Sequence, residues 1–265
     1  MVATFHNHTT FCDGKNTPRE MVEYAIDNGA RAIGFSAHGN TPFDTRYCLN
    51  DESGYINEIN RLKREFKDKI EIVLGIEEDS LFPVNRSLYK YVIGSSHYLY
   101  INGEYLPIDH SPKLFDNCLK VFNNDACNMA ESYYSAFCSY IKSRKPDIVG
   151  HFDLITKFDE ERRLFLDNEN YHKIAEKYML SVVNEDVLFE VNVGAILRGY
   201  RKTPYPYENL LHIIKKSGGK IILSLDCHNK DFLSYDLSDT KNYLKNVGFN
   251  CVYTIKNGKF IKESL

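Results

Sequence analysis

The sequence lacks a long apolar run, a large net charge and a cysteine pairing motif. No stretch of its 265 residues approaches the length of a membrane span, and the amino terminus shows no basic region followed by an apolar run. The formal net charge is −3, and the lysines and arginines are scattered among acidic residues, so no nucleic acid partner is expected. These absences predict a cytoplasmic protein without membrane contact.

The seven cysteines are odd in number and contain no Cys-x-x-Cys pair, which fits neither a disulfide framework nor a zinc ribbon. Most are interpreted as small buried hydrophobic residues, and packing is also the favoured role for Cys12 and Cys227, which lie near candidate ligands. Repeats and Gly/Ser linkers are absent, while 43% of the residues are hydrophobic. We therefore expect a single domain covering residues 1–265.

What the sequence does contain is an alternation of apolar strands and helices. The first helix is marked by the capping-box segment Thr17-Pro18-Arg19-Glu20. Residues 95–142 are predicted as a long loop followed by at least one helix, and the tail as a hairpin around Asn257-Gly258. Seven strands are predicted, at residues 2–5, 32–37, 70–76, 91–94, 147–149, 187–193 and 221–225. The alternation predicts an α/β fold in which a mainly parallel sheet forms a closed or nearly closed (β/α)7 barrel.

Histidines and acids follow the carboxyl ends of these strands. The loops after the strands of such a barrel form one face, so residues far apart in sequence should meet in one pocket. A buried group of this composition would be costly without ions to coordinate, which predicts a metal site at the C-terminal face of the strands. The residues are His6, His8, His38, Glu77, His97, His151, Asp226 and His228.

The three remaining histidines have a different context. His172 and His212 fall in helical patterns and are expected to be solvated or locally hydrogen-bonded. His110 lies in the long loop and is given the same interpretation, with a role at the site left open.

The candidate ligands belong to seven motifs, which are, in order along the chain, His6-Asn7-His8-Thr9 with Asp13-Gly14, Ser36-Ala37-His38, Gly75-Ile76-Glu77, Gly94-Ser95-Ser96-His97, Gly150-His151-Phe152-Asp153-Leu154-Ile155, Glu190-Val191-Asn192 and Ser224-Leu225-Asp226-Cys227-His228. In this order they resemble the motifs of the polymerase and histidinol phosphatase (PHP) superfamily, and specifically those of its monofunctional histidinol-phosphate phosphatase branch. One departure is Ala37, where many relatives have an acid before the histidine.

The resemblance implies a distorted, TIM-like barrel of seven strands and a site for three divalent ions, commonly zinc, manganese or iron. Glu77 would bridge two of the ions. The implied ligand sets are His6, His8, Glu77 and Asp226 for one ion, Asp13, His38 and His228 for a second, and Glu77, His97 and His151 for a third.

The resemblance also implies a function, that of a phosphoric monoester hydrolase. It would convert histidinol phosphate to histidinol and phosphate in histidine biosynthesis, by attack of a metal-bound hydroxide on the phosphorus. Arg198 and Lys157 are candidates to clamp the phosphate, because cationic side chains match its charge and arginine presents a fork of donors. For Lys157 an ordinary surface charge is the competing interpretation.

Three alternatives remain open at this stage. Another phosphoesterase of the same superfamily could act on nucleotides or DNA ends, although such nucleases normally sit in longer chains or carry a basic groove. A non-catalytic metal-binding scaffold would be expected to have lost ligands, and none of the expected ligands is missing here. A metal-dependent amidohydrolase would usually need a different ligand order.

Overall fold

A curled, mostly parallel β-sheet forms the centre of the structure, a computed structural model that describes residues 3–265. The main sheet has the order β1-β2-β3-β6-β7-β8-β9-β10, and its neighbours are parallel except for β9 and β10. β4 and β5 pair separately as an antiparallel hairpin. Within the described residues the strands are β1 (Ala32–Phe35), β2 (Glu71–Asp79), β3 (Tyr91–Ser95), β4 (Tyr98–Ile101), β5 (Glu104–Pro107), β6 (Ile148–Val149), β7 (Leu188–Asn192), β8 (Lys220–Ser224), β9 (Cys251–Lys256) and β10 (Lys259–Ser264).

Helices connect most of these strands and cover the outside of the sheet. The first begins as predicted, because Thr17 and Glu20 form a capping box in which each side chain accepts a hydrogen bond from the other residue's backbone N–H. The α-helices found in residues 3–265 are α1 (Pro18–Asp27), α2 (Glu52–Glu65), α3 (Pro112–Val121), α4 (Ala126–Arg144), α5 (Glu169–Val182), α6 (Gly194–Leu197), α7 (Glu208–Lys216) and α8 (Ser238–Val247). None of them is both long and apolar enough to cross a membrane.

The segment at residues 4–8 closes the sheet into a distorted barrel. Thr4 O accepts a hydrogen bond from Gly34 N at 2.9 Å, on the β1 side. On the other side, Cys227 N donates to His6 O at 3.1 Å and His8 N donates to Cys227 O at 2.9 Å, just beyond β8. With this segment as the seventh barrel strand, the structure has the predicted distorted (β/α)7 TIM-like architecture. Val2, the start of the predicted first strand, lies outside the described residues.

The prediction of a long loop after His97 is wrong, because β4 and β5 form a hairpin there. Its turn is Asn102-Gly103, and both residues have positive φ, at 54° and 87°. An Asn-Gly turn between alternating residues is a standard hairpin signal, so the sequence contained the information. The hairpin is followed by α3 and α4, which are separated at Asn123 and Asn124, also with positive φ.

Candidate metal centre and active site

Glu77 lies at the centre of the candidate site. It is on β2, is 1% exposed, and both of its carboxylate oxygens face histidine rings from other elements. Each of the following distances joins a ring nitrogen to Oε1 or Oε2 of Glu77: 3.1 Å for His6, 3.4 Å for His8, 2.9 Å for His38, 3.4 Å for His97 and 3.1 Å for His151. One carboxylate is therefore shared by five histidines that arise from four barrel segments.

Two further acids complete the cluster. Oδ1 of Asp226 lies 3.3 Å from Nε2 of His8 and 3.5 Å from Nδ1 of His228. Asp13, which comes from the loop after the closing segment, has Oδ2 at 3.2 Å from Nε2 of His228 and Oδ1 at 3.6 Å from Nε2 of His38. All nine predicted ligands thus meet at one face of the barrel, where their segments reach their carboxyl ends.

Four overlapping groups in this cluster have the spacing of a cation site, since their nitrogen and oxygen atoms lie within 4.8 Å of one another. Asp13, His38 and His228 share one group, as the implied second set requires. The implied third set is divided, with Glu77 grouped with His97 on one side and with His151 on the other. The groups are His8, Asp13, His38 and His228; His6, Glu77 and His151; His6, His8 and Asp226; and His38, Glu77 and His97.

Three buried ligand atoms in the cluster lack a hydrogen-bond partner within residues 3–265. They are Nε2 of His6, Nε2 of His8 and Oε2 of Glu77. A buried polar atom without a partner carries an unfavourable desolvation free energy, which coordination of a cation would remove. The donor set therefore fits divalent metal ions, and it consists of the imidazole nitrogens and carboxylate oxygens that zinc, manganese and iron accept.

A second layer of carboxylates orients the histidines. Nδ1 of His6 lies 2.5 Å from Oε1 of Glu190, and Nδ1 of His97 lies 3.3 Å from Oδ2 of Asp79. With Nδ1–H donating to these acids, Nε2 of each ring remains an acceptor directed at Glu77. Metal-binding histidines commonly have this arrangement. Glu190 also accepts hydrogen bonds from Ser224 Oγ at 2.5 Å and from the backbone N–H of His151 at 2.8 Å.

The electrostatics of the cluster keep its central acid ionised. Burial alone would raise the pKa of Glu77, but the neighbouring His6, His38 and His97 lower this pKa well below its ordinary value. The pKa of His8 is also lowered, to about 3, by burial and by the charges of His228 and His38, and for a histidine this favours the neutral form. His8 therefore presents a neutral ring, as a metal ligand must.

The cluster opens into a cavity of about 360 Å³ that also contains both predicted phosphate-binding residues. Arg198 is largely buried, and its Nη2 donates to Oδ2 of Asp226 at 3.0 Å. Lys157 is 12% exposed, so it is not an ordinary surface charge, and its Nζ donates to Oδ2 of Asp109 at 3.0 Å. His110 lines the cavity mouth as well.

The two histidines that were expected to lie outside the site, His172 and His212, do lie outside it. His172 Nε2 lies 2.8 Å from the backbone oxygen of Leu166, and His212 is exposed beside Glu208. All seven cysteines are free, and neither Cys12 nor Cys227 belongs to a ligand group among the described residues. Four of the seven are buried, which confirms the packing role expected for most of them.

Sequence reasoning assigned no role to three acids that matter here, namely Glu190, Asp79 and Asp109. Most of the predicted ligands lie just beyond strand ends, whereas Glu190 lies in the middle of β7. Asp79 shares a face of β2 with Glu77 because side chains alternate along a strand, and this signal was available. Asp109 follows the β4–β5 hairpin, in a stretch that the sequence predicts as a loop.

Comparison with known proteins places residues 4–194 in the PHP domain family. Among curated proteins, a probable histidinol-phosphatase of Schizosaccharomyces pombe is 26% identical, with the alignment covering 97% of this chain and 90% of that protein.

Solved structures share the fold. The hisK protein of Listeria monocytogenes superposes with a TM-score of 0.76 at 18% identity, covering 89% of this chain and 99% of that one. Histidinol phosphate phosphatase of Lactococcus lactis, solved as a complex with zinc, L-histidinol and phosphate, gives a TM-score of 0.69 at 22% identity, covering 98% of this chain and 100% of that one.

Proposed function

Because the chain belongs to the PHP domain family, we propose that it is a metal-dependent phosphatase that hydrolyses histidinol phosphate to histidinol and inorganic phosphate. The observation that carries this proposal is the cluster around Glu77, in which histidines and acids from separate barrel segments converge at the base of a cavity. The names of the similar proteins supply the specific substrate. In a cell this reaction would serve histidine biosynthesis.

Three divalent ions are the proposed cofactor, held by the nine residues of the cluster. Glu77 would bridge two ions, because its two oxygens face different groups of histidines. The zinc in the Lactococcus lactis structure favours zinc, and the same donors also accept manganese and iron. Bound ions would supply positive charge for the phosphate oxygens and would lower the pKa of a water molecule toward neutrality.

The chain's own cations would orient the phosphate. Arg198 reaches the cavity while its guanidinium is held by the side chain and the backbone oxygen of Asp226, each at 3.0 Å. The guanidinium, already held in place, can still donate to a phosphate, and binding the phosphate would then cost little side-chain entropy. Lys157, which also lines the cavity, would contribute a second positive charge.

The cavity volume supports a small substrate. About 360 Å³ is near the lower end of the range for small-molecule sites, which suits a phosphate monoester of an amino alcohol. We propose no nucleic acid partner.

A substrate panel under zinc, manganese and iron tests the proposal. We expect kcat/KM for histidinol phosphate to exceed that for sugar phosphates and mononucleotides by at least about a hundredfold, or about 2.7 kcal/mol of transition-state discrimination. A flat profile would reject histidinol phosphate and leave a phosphoesterase of other specificity, such as one acting on nucleotides or DNA ends. Absence of hydrolysis in protein shown to contain its ions would instead indicate a metal-binding scaffold.

A further inference from the structure

Asp109 is a carboxylate in the cavity that the proposed chemistry does not use. The other acids that line this cavity, Asp13 and Asp226, belong to the ligand groups. Asp109 lies two residues beyond β5, and its position is fixed because the backbone N–H of Ile108 donates to His97 O at 3.0 Å. The carboxylate is therefore held beside the metal cluster without being part of it.

The Asp109 carboxylate has hydrogen-bonding capacity to spare. Among residues 3–265, Lys157 alone donates to it, through Oδ2. An ionised carboxylate offers about four acceptor positions, so most of them remain available from the cavity. Burial would raise the pKa of Asp109, but Lys157 and His97 lower it to about 2, so the group is charged at neutral pH.

The charge pattern of the cavity indicates what this carboxylate meets. Arg198, Lys157 and bound ions would make the phosphate end strongly positive. In histidinol phosphate an ammonium group sits on the carbon next to the one that carries the phosphate oxygen. This ammonium must enter the same positive region, and a negative partner has to lie close by to offset the repulsion.

We infer that Asp109 binds the ammonium group of the substrate and makes the site selective for phosphate monoesters with an adjacent amine. This inference rests on the proposed function and adds a residue that determines specificity. The competing interpretation is that Asp109 only orients Lys157, in which case its removal would affect every phosphate monoester alike.

The test compares histidinol phosphate with its analogue that lacks the amine, 3-(imidazol-4-yl)propyl phosphate. In the metal-loaded wild-type protein we expect kcat/KM to favour the amine by at least about tenfold, the effect of one hydrogen bond between charged groups. In Asp109→Asn this preference should shrink by about the same factor. Binding of L-histidinol, measured by calorimetry, should weaken in parallel.

The matched control is Asp116→Asn. Asp116 pairs with Arg162 and thus joins the same two chain segments, but it lies outside the cavity and is about half exposed. This variant should keep the wild-type preference for the amine. If Asp109→Asn fails to fold, Asp109→Glu retains the charge and should keep a preference for the amine.

The outcomes separate the two proposals. Equal hydrolysis of both substrates by the wild-type protein would overturn the role of Asp109 while leaving a phosphatase. An equal decrease for both substrates in Asp109→Asn would also overturn it, in favour of the orienting role. If the wild-type protein hydrolyses neither substrate, the proposed function fails and the inference fails with it.

Discussion

Substitution of Glu77 by glutamine should disturb the cluster more than loss of any single histidine. Glu77→Gln keeps the shape but removes the negative charge that faces five histidine rings, so we expect more than one ion to be lost per chain. Activity should fall by more than about a hundredfold, which is the upper end of the loss seen when a residue that only orients a metal ligand is changed.

Elemental analysis of the purified variant measures this loss directly. The matched control is His38→Ala, which should lose at most one ion because the proposed ligand sets assign His38 to a single ion, together with Asp13 and His228. If Glu77→Gln retains all but one ion, Glu77 does not bridge.

At Arg198 the question is whether the side chain binds phosphate or only holds Asp226. We expect Arg198→Met to lower kcat/KM by about a hundredfold for all phosphate monoesters, because the phosphate is common to them. Metal content measured on the same sample distinguishes the two roles. A loss of ions equal to the loss of activity would mean that Arg198 acts by positioning Asp226 and not by binding substrate.

How far single residues could be predicted depends on where they lie in a strand. The nine predicted ligands follow strand ends or come from the family motifs, and all nine meet in the structure. Their binding of metal stays a prediction. The motif Glu190-Val191-Asn192 marks Glu190 in the sequence, but its orienting role could not be predicted, because only the contact with His6 in the folded protein reveals it.

Among the larger elements, the loops after β6 and β7 are joined by a buried ion pair. The Arg201 side chain is fully buried, and its Cζ lies 4.2 Å from the ring centroid of Tyr205 and 4.0 Å from that of Tyr207. Its Nη1 donates a hydrogen bond to Thr156 Oγ1 at 2.6 Å. Its ionic partner Asp153, at 3.7 Å, is two residues beyond His151. The pair thus connects a candidate ligand loop to the loop that carries Arg198.

We expect Arg201→Met to lower the free energy of unfolding by about 3–5 kcal/mol, because it leaves the buried Asp153 carboxylate without its cationic partner. The double variant Asp153→Asn/Arg201→Met should recover part of this loss, as urea unfolding would show. Arg163→Met, at an exposed ion pair with Asp167, is the control and should change stability little. Additive losses in the double variant would contradict coupling between the two residues.

Elements with strong periodicity could be predicted, and elements that depend on tertiary packing could not. α1 and β2 follow from a capping box and an apolar run. α8 was not predicted, since only Thr240, Leu244 and Val247 of its ten residues are buried and so the apolar stripe is short. The β4–β5 hairpin has a local signal in its Asn102-Gly103 turn, but its packing could not be predicted, because the ring of Tyr105 stacks on that of the distant Phe43 with 4.1 Å between the ring centroids.

For the whole molecule, removal of metal should affect both catalysis and folding. Prolonged chelation is expected to abolish phosphatase activity, and readdition of one divalent metal should restore it. Because the ligands come from segments along most of the chain, ions that bind only the folded state should also stabilise it, by about 2.7 kcal/mol at a hundredfold excess over Kd.

Thermal unfolding of the stripped and reloaded protein gives this second measurement. Full activity in demonstrably metal-free protein would refute the metal site, whatever the effect on stability.

The alternation of strands and helices was sufficient to predict the barrel class, which the structure has. The closure was harder to predict, because the pairing of His6 with Cys227 joins opposite ends of the sequence and depends on the curl of the sheet. The assignment of residues 1–265 to one domain stays a prediction.

The closing segment at residues 4–8 also has a consequence for protein synthesis. His6 and His8 leave the ribosome before Cys227 and its neighbour Asp226, which lie about 220 residues further along the chain. At a synthesis rate of about 5–20 residues per second, the segment that pairs with the two histidines follows them by on the order of ten seconds or more. A nascent chain stalled before Asp226 would carry most of the histidines but could not complete the ligand set, so selection among cellular cations would have to follow translation of Asp226 and His228.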